Sequence, residues 1–212
     1  MPTSAAADLE VVGGDAELAA AAAARPGALV SFRPDTTSDF AGAVGLGIGL
    51  GPDRGPAGGV ELALDLLRLD DNRTAVNMVV IGTPPDASRR FVRRFGANVR
   101  IDERPVFHGP CTAIVIASGQ FRHGLDLVPR GHPGDGRAEV QIYAVPARER
   151  RALRARLATG THVPHPAITQ RSGRHISVST DRKVALEVDG RAGPPADRLQ
   201  VEVVPNAFRL LL

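Results

Sequence analysis

Residues 8–32, DLEVVGGDAELAAAAAARPGALVSF, decide how the chain opens. The short apolar stretch DLEVV (8–12) predicts a strand. Gly13-Gly14-Asp15 predicts a turn, and the alanine run predicts a helix over about 16–24 that Pro26 closes. ALVSF (28–32) predicts the next strand. Strand, glycine turn, helix and strand in that order make an α/β unit. Downstream, Thr37 or Ser38 is placed to cap a short helix beginning near Asp39. The glycine- and proline-rich stretch GLGIGLGPDRGPAGG (45–59) then predicts a loop and a boundary between two domains, 1–57 and 58–212. Its glycines do not have the G-x-G-x-x-G spacing of a dinucleotide fingerprint.

Beyond the boundary the pattern changes. GVELALDLLRL (59–69) carries apolar residues at helical spacing and predicts a helix. The remainder predicts strands at 75–81, 97–101, 111–117, 138–145, 174–179, 184–188 and 199–204. Turn residues separate them at short intervals, the pattern of a sandwich-like β domain. One helix interrupts at about 146–158, with proline in its first turn, and residues 83–95 suit a helix or a loop. The fold class is therefore α/β plus β: a partial N-terminal α/β domain followed by a β-rich, sandwich-like C-terminal domain.

Composition narrows the functional classes. A chain of 212 residues that is 43% hydrophobic and 23% charged can bury a core and is not a disordered polymer. Cys111 is the single cysteine, so no internal disulfide forms, in keeping with a reducing, cytoplasmic setting; it lies in an apolar strand and reads as packing. No apolar run is long enough to span a bilayer, and the opening MPTSAAADLE has no basic segment before an apolar one, as a signal peptide would. Lys183 is the sole lysine, so the other 25 basic residues are arginines. A net charge of +3, 4% aromatics and no tryptophan argue against a nucleic-acid partner. Arg148, Arg150, Arg151, Arg154 and Arg156 ring the helix near 146–158, either as a solvated face or as a transient contact with an anionic membrane surface. His162 and His165 lie three apart without the companions of a transition-metal motif.

Several segments, taken in order, resemble the diacylglycerol kinase catalytic-domain family, in particular its soluble bacterial lipid kinases. Gly13-Gly14-Asp15-Ala16-Glu17 is similar to the family's G-G-D-G-T turn. Asp35-Thr36-Thr37-Ser38-Asp39-Phe40-Ala41-Gly42 is similar to G-T-x-N-D-F-A-R. Gly134-Asp135-Gly136 resembles its D-D-G turn, and Asp189-Gly190-Arg191 its late D-G-E turn. VNMVVIG, SGQFRHGLDLVP, GTHVPHP and the ending LQVEVVPNAFRLLL match further stretches. The resemblance spans nearly the whole chain. The family's usual opening, a strand and an N-P-x-x-G phosphate loop, precedes the point where this chain begins, so the resemblance implies an N-terminally truncated member.

The resemblance implies roles for individual residues. Gly13, Gly14, Asp15, Thr36 and Asp39 would form the nucleotide site, with ATP and Mg2+ as cofactors. Asp135, together with the carbonyls of His132 and Arg137, would hold a structural divalent ion. Asp189 would be the general base toward the hydroxyl of a diacylglycerol-like lipid. Each also has a plain structural reading as a turn or helix start. The departures fall around phosphate: Ala16 and Glu17 in the first turn, Asp35, Ser38 and Gly42 in the second, Gly134 in the third and Arg191 in the last. Where the family's base is assigned to the final glutamate of D-G-E, Arg191 stands in its place. Two functions follow. One is an ATP- and Mg-dependent lipid kinase, cytoplasmic or peripheral at the membrane. The other is a catalytically inactive pseudokinase that binds a lipid or a partner. An α/β edge left open by the missing segment would favour a homodimer or pairing with another chain.

Overall fold

The computed structural model describes residues 6–46, 60–89 and 91–212. It opens as the sequence predicts: β1 (Leu9–Gly13), α1 (Asp15–Ala24), β2 (Leu29–Pro34) and a single turn of helix, α2 (Phe40–Ala43). Asp39 is the N-cap residue of α2, and the hydroxyl of Ser38 before it accepts the Ala41 N–H, one of the donors the helix start leaves free. Residues 47–59, most of the stretch 45–59 expected to be a loop and a domain boundary, lie outside the described residues.

The helix expected at 59–69 is a strand, β3 (Glu61–Leu69), and both its faces are covered. Leu64 and Leu66 enter the N-terminal core, while Leu67 and Leu69 enter the sandwich core. Burial on two sides removes the polar alternation that marks a one-sided strand and leaves spacing that imitates a helix. Antiparallel pairing along Val201–Leu211 settles the matter.

Short β4 (Thr74–Ala75) and β5 (Met78–Gly82) follow, and residues 83–89 and 91–94 are irregular. Next come β6 (Phe95–Ile101) and β7 (Arg104–Cys111), a hairpin turning on Asp102 and Glu103, both at positive φ. β8 (Ala113–Ala117), the two-residue β9 (Phe121–Arg122) and β10 (Leu125–Asp126), and β11 (Ala138–Tyr143) lead to the basic helix. That helix is shorter than expected: 3-10 turns at Ala147–Glu149 and Leu157–Thr159 flank α3 (Arg150–Ala155), and Gly160 ends the run in the left-handed region. β12 (Ile168–Gly173) and β7 carry too many polar residues to be read from pattern alone. The expected strands at 174–179 and 184–188 are one strand, β13 (His175–Val188), bulged between Ser179 and Val184. β14 (Arg191–Leu211) completes the chain.

One sheet runs β1-β2-β14-β13-β5-β8-β11-β12, with β3 on β14, β4 on β3, and the β6–β7 hairpin on β13. Its two long strands change partners along their length. β13 pairs with β6 through residues 176–180 and with β5 through 186–188. β14 pairs with β13 at its start, with β3 from Val201 onward, and with β2 at Arg209–Leu211. A register shift at Val204–Phe208, with Asn206 at φ 50, bends β14 out of the sandwich and into the N-terminal layer. Phe208 and Leu210 are therefore fully buried against Leu18, Val30 and Phe40, far away in sequence.

Candidate active site

Gly14 precedes the first turn of α1, and its N–H is one of the donors that a helix start leaves free. Here that N–H donates to Glu17 Oε2 at 3.1 Å, and the same carboxylate is ion-paired with the Arg191 guanidinium. The pairing holds the Glu17 carboxyl below its usual pKa, chiefly through the Arg191 hydrogen bond. Two residues that look like unrelated departures in sequence are thus one contact between the first and last turns of the site. An added Cβ on Gly14 would lie 2.7 Å from Thr37 Oγ1, so the two turns meet without room for a side chain. Thr37 is oriented by donating its N–H and hydroxyl to Asp35. Thr36 beside it is exposed.

Asp15 is only 5% exposed and binds no solvent-facing partner. It accepts from the Ser38 hydroxyl at 2.6 Å, from the Phe40 N–H at 3.1 Å and from Asn77 Nδ2 at 3.0 Å. Burial raises its pKa, against the hydrogen bonds that oppose the rise. Ser38, which replaces the family's asparagine, is therefore the link between α1 and α2. Asn77 carries the connection onward. Its backbone N–H, with those of Val76 and Met78, donates to the Asp189 carboxylate at 2.8–3.0 Å. Asp189 and Gly190 have φ of 44 and 74 and join β13 to β14 as a two-residue turn of the type that needs positive φ at both positions. Burial, and next the charge of Asp15, push the Asp189 carboxyl up to about 7. Asn77, the one polar residue in the apolar run 75–81, is the clue in the sequence to this bridge.

Asp39 lies apart from that pair and accepts the His123 and Gly124 N–H groups at 2.7 and 2.9 Å. This fixes the 121–124 turn against α2. Next to it Arg122 is buried between Asp86 and Glu187, bonding Glu187 at 2.8 Å and forming an ion pair with Asp86. Nothing local in the sequence marks these three, which come from different segments. Beyond Asp86, residues 83–89, Val92 and α3 line a small cleft, with Tyr143 and Leu153 among its walls.

The Gly134–Gly136 turn is supported from within. Asp135 accepts the Arg137 N–H at 2.9 Å and His132 Nδ1 the Gly134 N–H at 3.2 Å. Asp65 of β3, unremarked in the sequence, accepts the Gly136 N–H at 2.6 Å and the Asn206 N–H at 3.0 Å. It thereby ties this turn to the bend in β14. Among the described residues no three His, Cys, Asp or Glu side chains gather as a metal group. Asp15 is buried with its two oxygens taken by three donors, which does not suit a magnesium ligand, whereas Asp39 and Asp65 accept one N–H on each oxygen and keep a lone pair on each. Cys111 is buried, and its thiol is pushed up to about 12, which suits packing.

Residues 89–212 match the YegS C-terminal NAD kinase beta sandwich-like domain. The chain belongs to the YegS C-terminal domain family. Its structural relatives extend the likeness to the N-terminal layer. A protein from Bacillus anthracis str. Sterne, provisionally classed as a diacylglycerol kinase, superposes with a TM-score of 0.77 at 16% identity, covering 96% of this chain and 78% of its own. A second structure of that description gives 0.76 at 13% identity, with the same coverage. An NAD kinase from Archaeoglobus fulgidus in complex with ATP gives 0.53 at 12%, covering 97% of this chain and 78% of its own. At these identities the likeness is one of fold. No curated protein matches the chain. No helix among the described residues is long and apolar enough to cross a membrane.

Proposed function

We propose that this member of the YegS family is a lipid kinase, moving a phosphoryl group from a nucleotide to the hydroxyl of a diacylglycerol-type lipid. The observation that carries the reading is Asp189: a buried carboxylate raised to about 7, beside a glycine turn at a helix N-terminus. A general base works best with a pKa near the operating pH. Asp189 Oδ1 accepts the Asn77 and Met78 N–H groups, while Oδ2 accepts the Val76 N–H alone and keeps a lone pair for a hydroxyl proton. In the reaction Asp189 takes that proton, the hydroxyl oxygen attacks the terminal phosphorus, and the nucleoside diphosphate leaves. The Gly14 N–H and the α1 dipole favour phosphate at the turn. Magnesium arriving on the nucleotide would neutralise phosphate charge. Asp15, already tied to Ser38 and Asn77, positions the two turns rather than holding metal.

The Glu17 contact favours a second reading, an inactive binding module. Its carboxylate sits on the N–H that phosphate would use, and Arg191 secures it there. Titration calorimetry with ATP and magnesium on the wild type and on Glu17→Thr separates the two. The kinase reading expects binding by the wild type, at least about tenfold tighter in Glu17→Thr, since like charges about 4 Å apart repel by about 1 kcal/mol in water and more in a cleft. It also expects lipid phosphorylation that Asp189→Asn abolishes. Absence of binding in both proteins at millimolar nucleotide would overturn it and leave the binding module.

A further inference from the structure

We propose that Glu17 and Arg191 form a displaceable latch over the Gly13–Gly14 turn, and that an incoming polyphosphate turns the Glu17 carboxylate off this seat and takes over the Arg191 guanidinium as its own ligand. On the reading that phosphate seats at this turn, on which this rests, Arg191 is the side chain that grips it.

The seat already holds an anion, supplied by the chain itself. Glu17 folds back so closely over Gly13 that an added Cβ there would lie 2.9 Å from its Cγ. One carboxylate oxygen accepts the Gly14 N–H, and the other is paired with Arg191. A backbone donor at the start of the ten-residue α1 and a guanidinium from the start of β14 thus converge on one carboxylate. Capping the helix needs only the N–H bond; the guanidinium, 174 residues away in sequence, is additional. The same two donors suit the oxygens of a phosphate.

The latch is weak enough to open. The Arg191 side chain is 64% exposed and that of Glu17 42%, and ion pairs so open to water add little stability. A polyphosphate brings more charge and more oxygens to the same donors. It also enters beside two carboxylates, because Asp35 Oδ1 lies 3.7 Å from where a Cβ of Gly14 would stand, oriented there by Thr37. An anion in that position needs a cation next to it, and Arg191 is the one the fold brings to the turn. Arg191 follows directly on Asp189-Gly190, and open space surrounds Gly190. The guanidinium is therefore free to follow the phosphate while Asp189 stays on its backbone N–H groups.

Titration calorimetry of the full chain with inorganic tripolyphosphate, without lipid or nucleotide, tests this. In Glu17→Thr, which has no latch to open, adding Arg191→Ala should weaken binding at least about tenfold, the loss of a charge-assisted partner. Adding Arg33→Ala instead, an exposed arginine on neighbouring β2, should change it by less than about twofold, since it acts only through screened solvent. In the wild type, the Glu17 carboxyl, held low by Arg191, should return toward its ordinary 4.5 once tripolyphosphate is bound, as read by carbon NMR. Circular dichroism checks that the variants stay folded. Affinity unchanged or raised by Arg191→Ala would show that Arg191 only secures Glu17, and would overturn the proposal while leaving phosphate at the turn. Equal losses from Arg33→Ala and Arg191→Ala, or a Glu17 carboxyl that stays low, would overturn it as well. Tripolyphosphate bound by none of the proteins would remove the phosphate seat itself, and the phosphotransfer reading with it.

Discussion

The Asp189 carboxylate loses water on folding and receives three backbone N–H groups in exchange. Desolvation wins, since the group rises from 3.8 to about 7. A carboxyl raised in the native state keeps a proton that the unfolded chain gives up, so stability falls as pH climbs through the window between the two values. Asp15 is raised as well and acts in the same direction. The lowered carboxyls Glu17 and Asp35 work oppositely, but only as pH falls below their ordinary values of 4.5 and 3.8. We therefore expect a higher urea midpoint at pH 5 than at pH 7.5, and a flatter dependence between those values in Asp189→Asn. His162, held below its ordinary value by burial, works the other way over part of that range, so the difference between wild type and Asp189→Asn reads the shift, and identical pH dependences of the two would show the carboxyl is not shifted.

At the scale of elements, β3 decides most. It contributes leucines to two cores and Asp65 to the turn at Gly136 and the bend at Asn206. Leu67 is fully buried where β3 meets the sandwich. Leu67→Ala should cost about 2–5 kcal/mol, read from denaturant unfolding with an unchanged slope. Gly82 makes a sharper local test. Its φ is +93, and an added Cβ would lie 2.5 Å from the Thr112 carbonyl and 2.6 Å from the Phe95 ring. Gly82→Ala should destabilise by more than the ~1–2 kcal/mol that a positive φ alone costs a residue with a side chain, whereas Gly27→Ala, with open space around it, carries only that strain. Equal losses from the two alanines would contradict the packing described.

Across the whole molecule, β14 joins the layers. Its last residues pair with β2 and β3, and Phe208 and Leu210 fill the N-terminal core. Removing residues 208–212 should abolish amide-exchange protection in β1, α1 and β2 while β5, β8 and β11 stay protected. Retained protection throughout would mean the N-terminal layer stands without the final strand. The site spans the same junction: Asp15 and Asp39 come from the first layer, Asn77 and Asp189 from the second, and hydrogen bonds across the seam hold their spacing.

Local chemistry in the sequence was enough for the opening β1-α1-β2 unit, for the Asp189-Gly190 and Gly134–Gly136 turns and for the order of family-like segments, because glycine conformations and apolar runs act over a few residues. Asp15 and Asp189 were legible as site candidates on the same ground. Tertiary structure decided what those side chains do. It made β3 a strand by covering both its faces, and it joined Ser38 to Asp15 and Asn77 to Asp15 and Asp189. It also set Glu17 against Arg191, and paired Arg122 with Asp86 and Glu187. Each of these contacts closes a gap of twenty to nearly two hundred residues, and a carboxylate's partner over such a distance depends on strand pairing that no local pattern records.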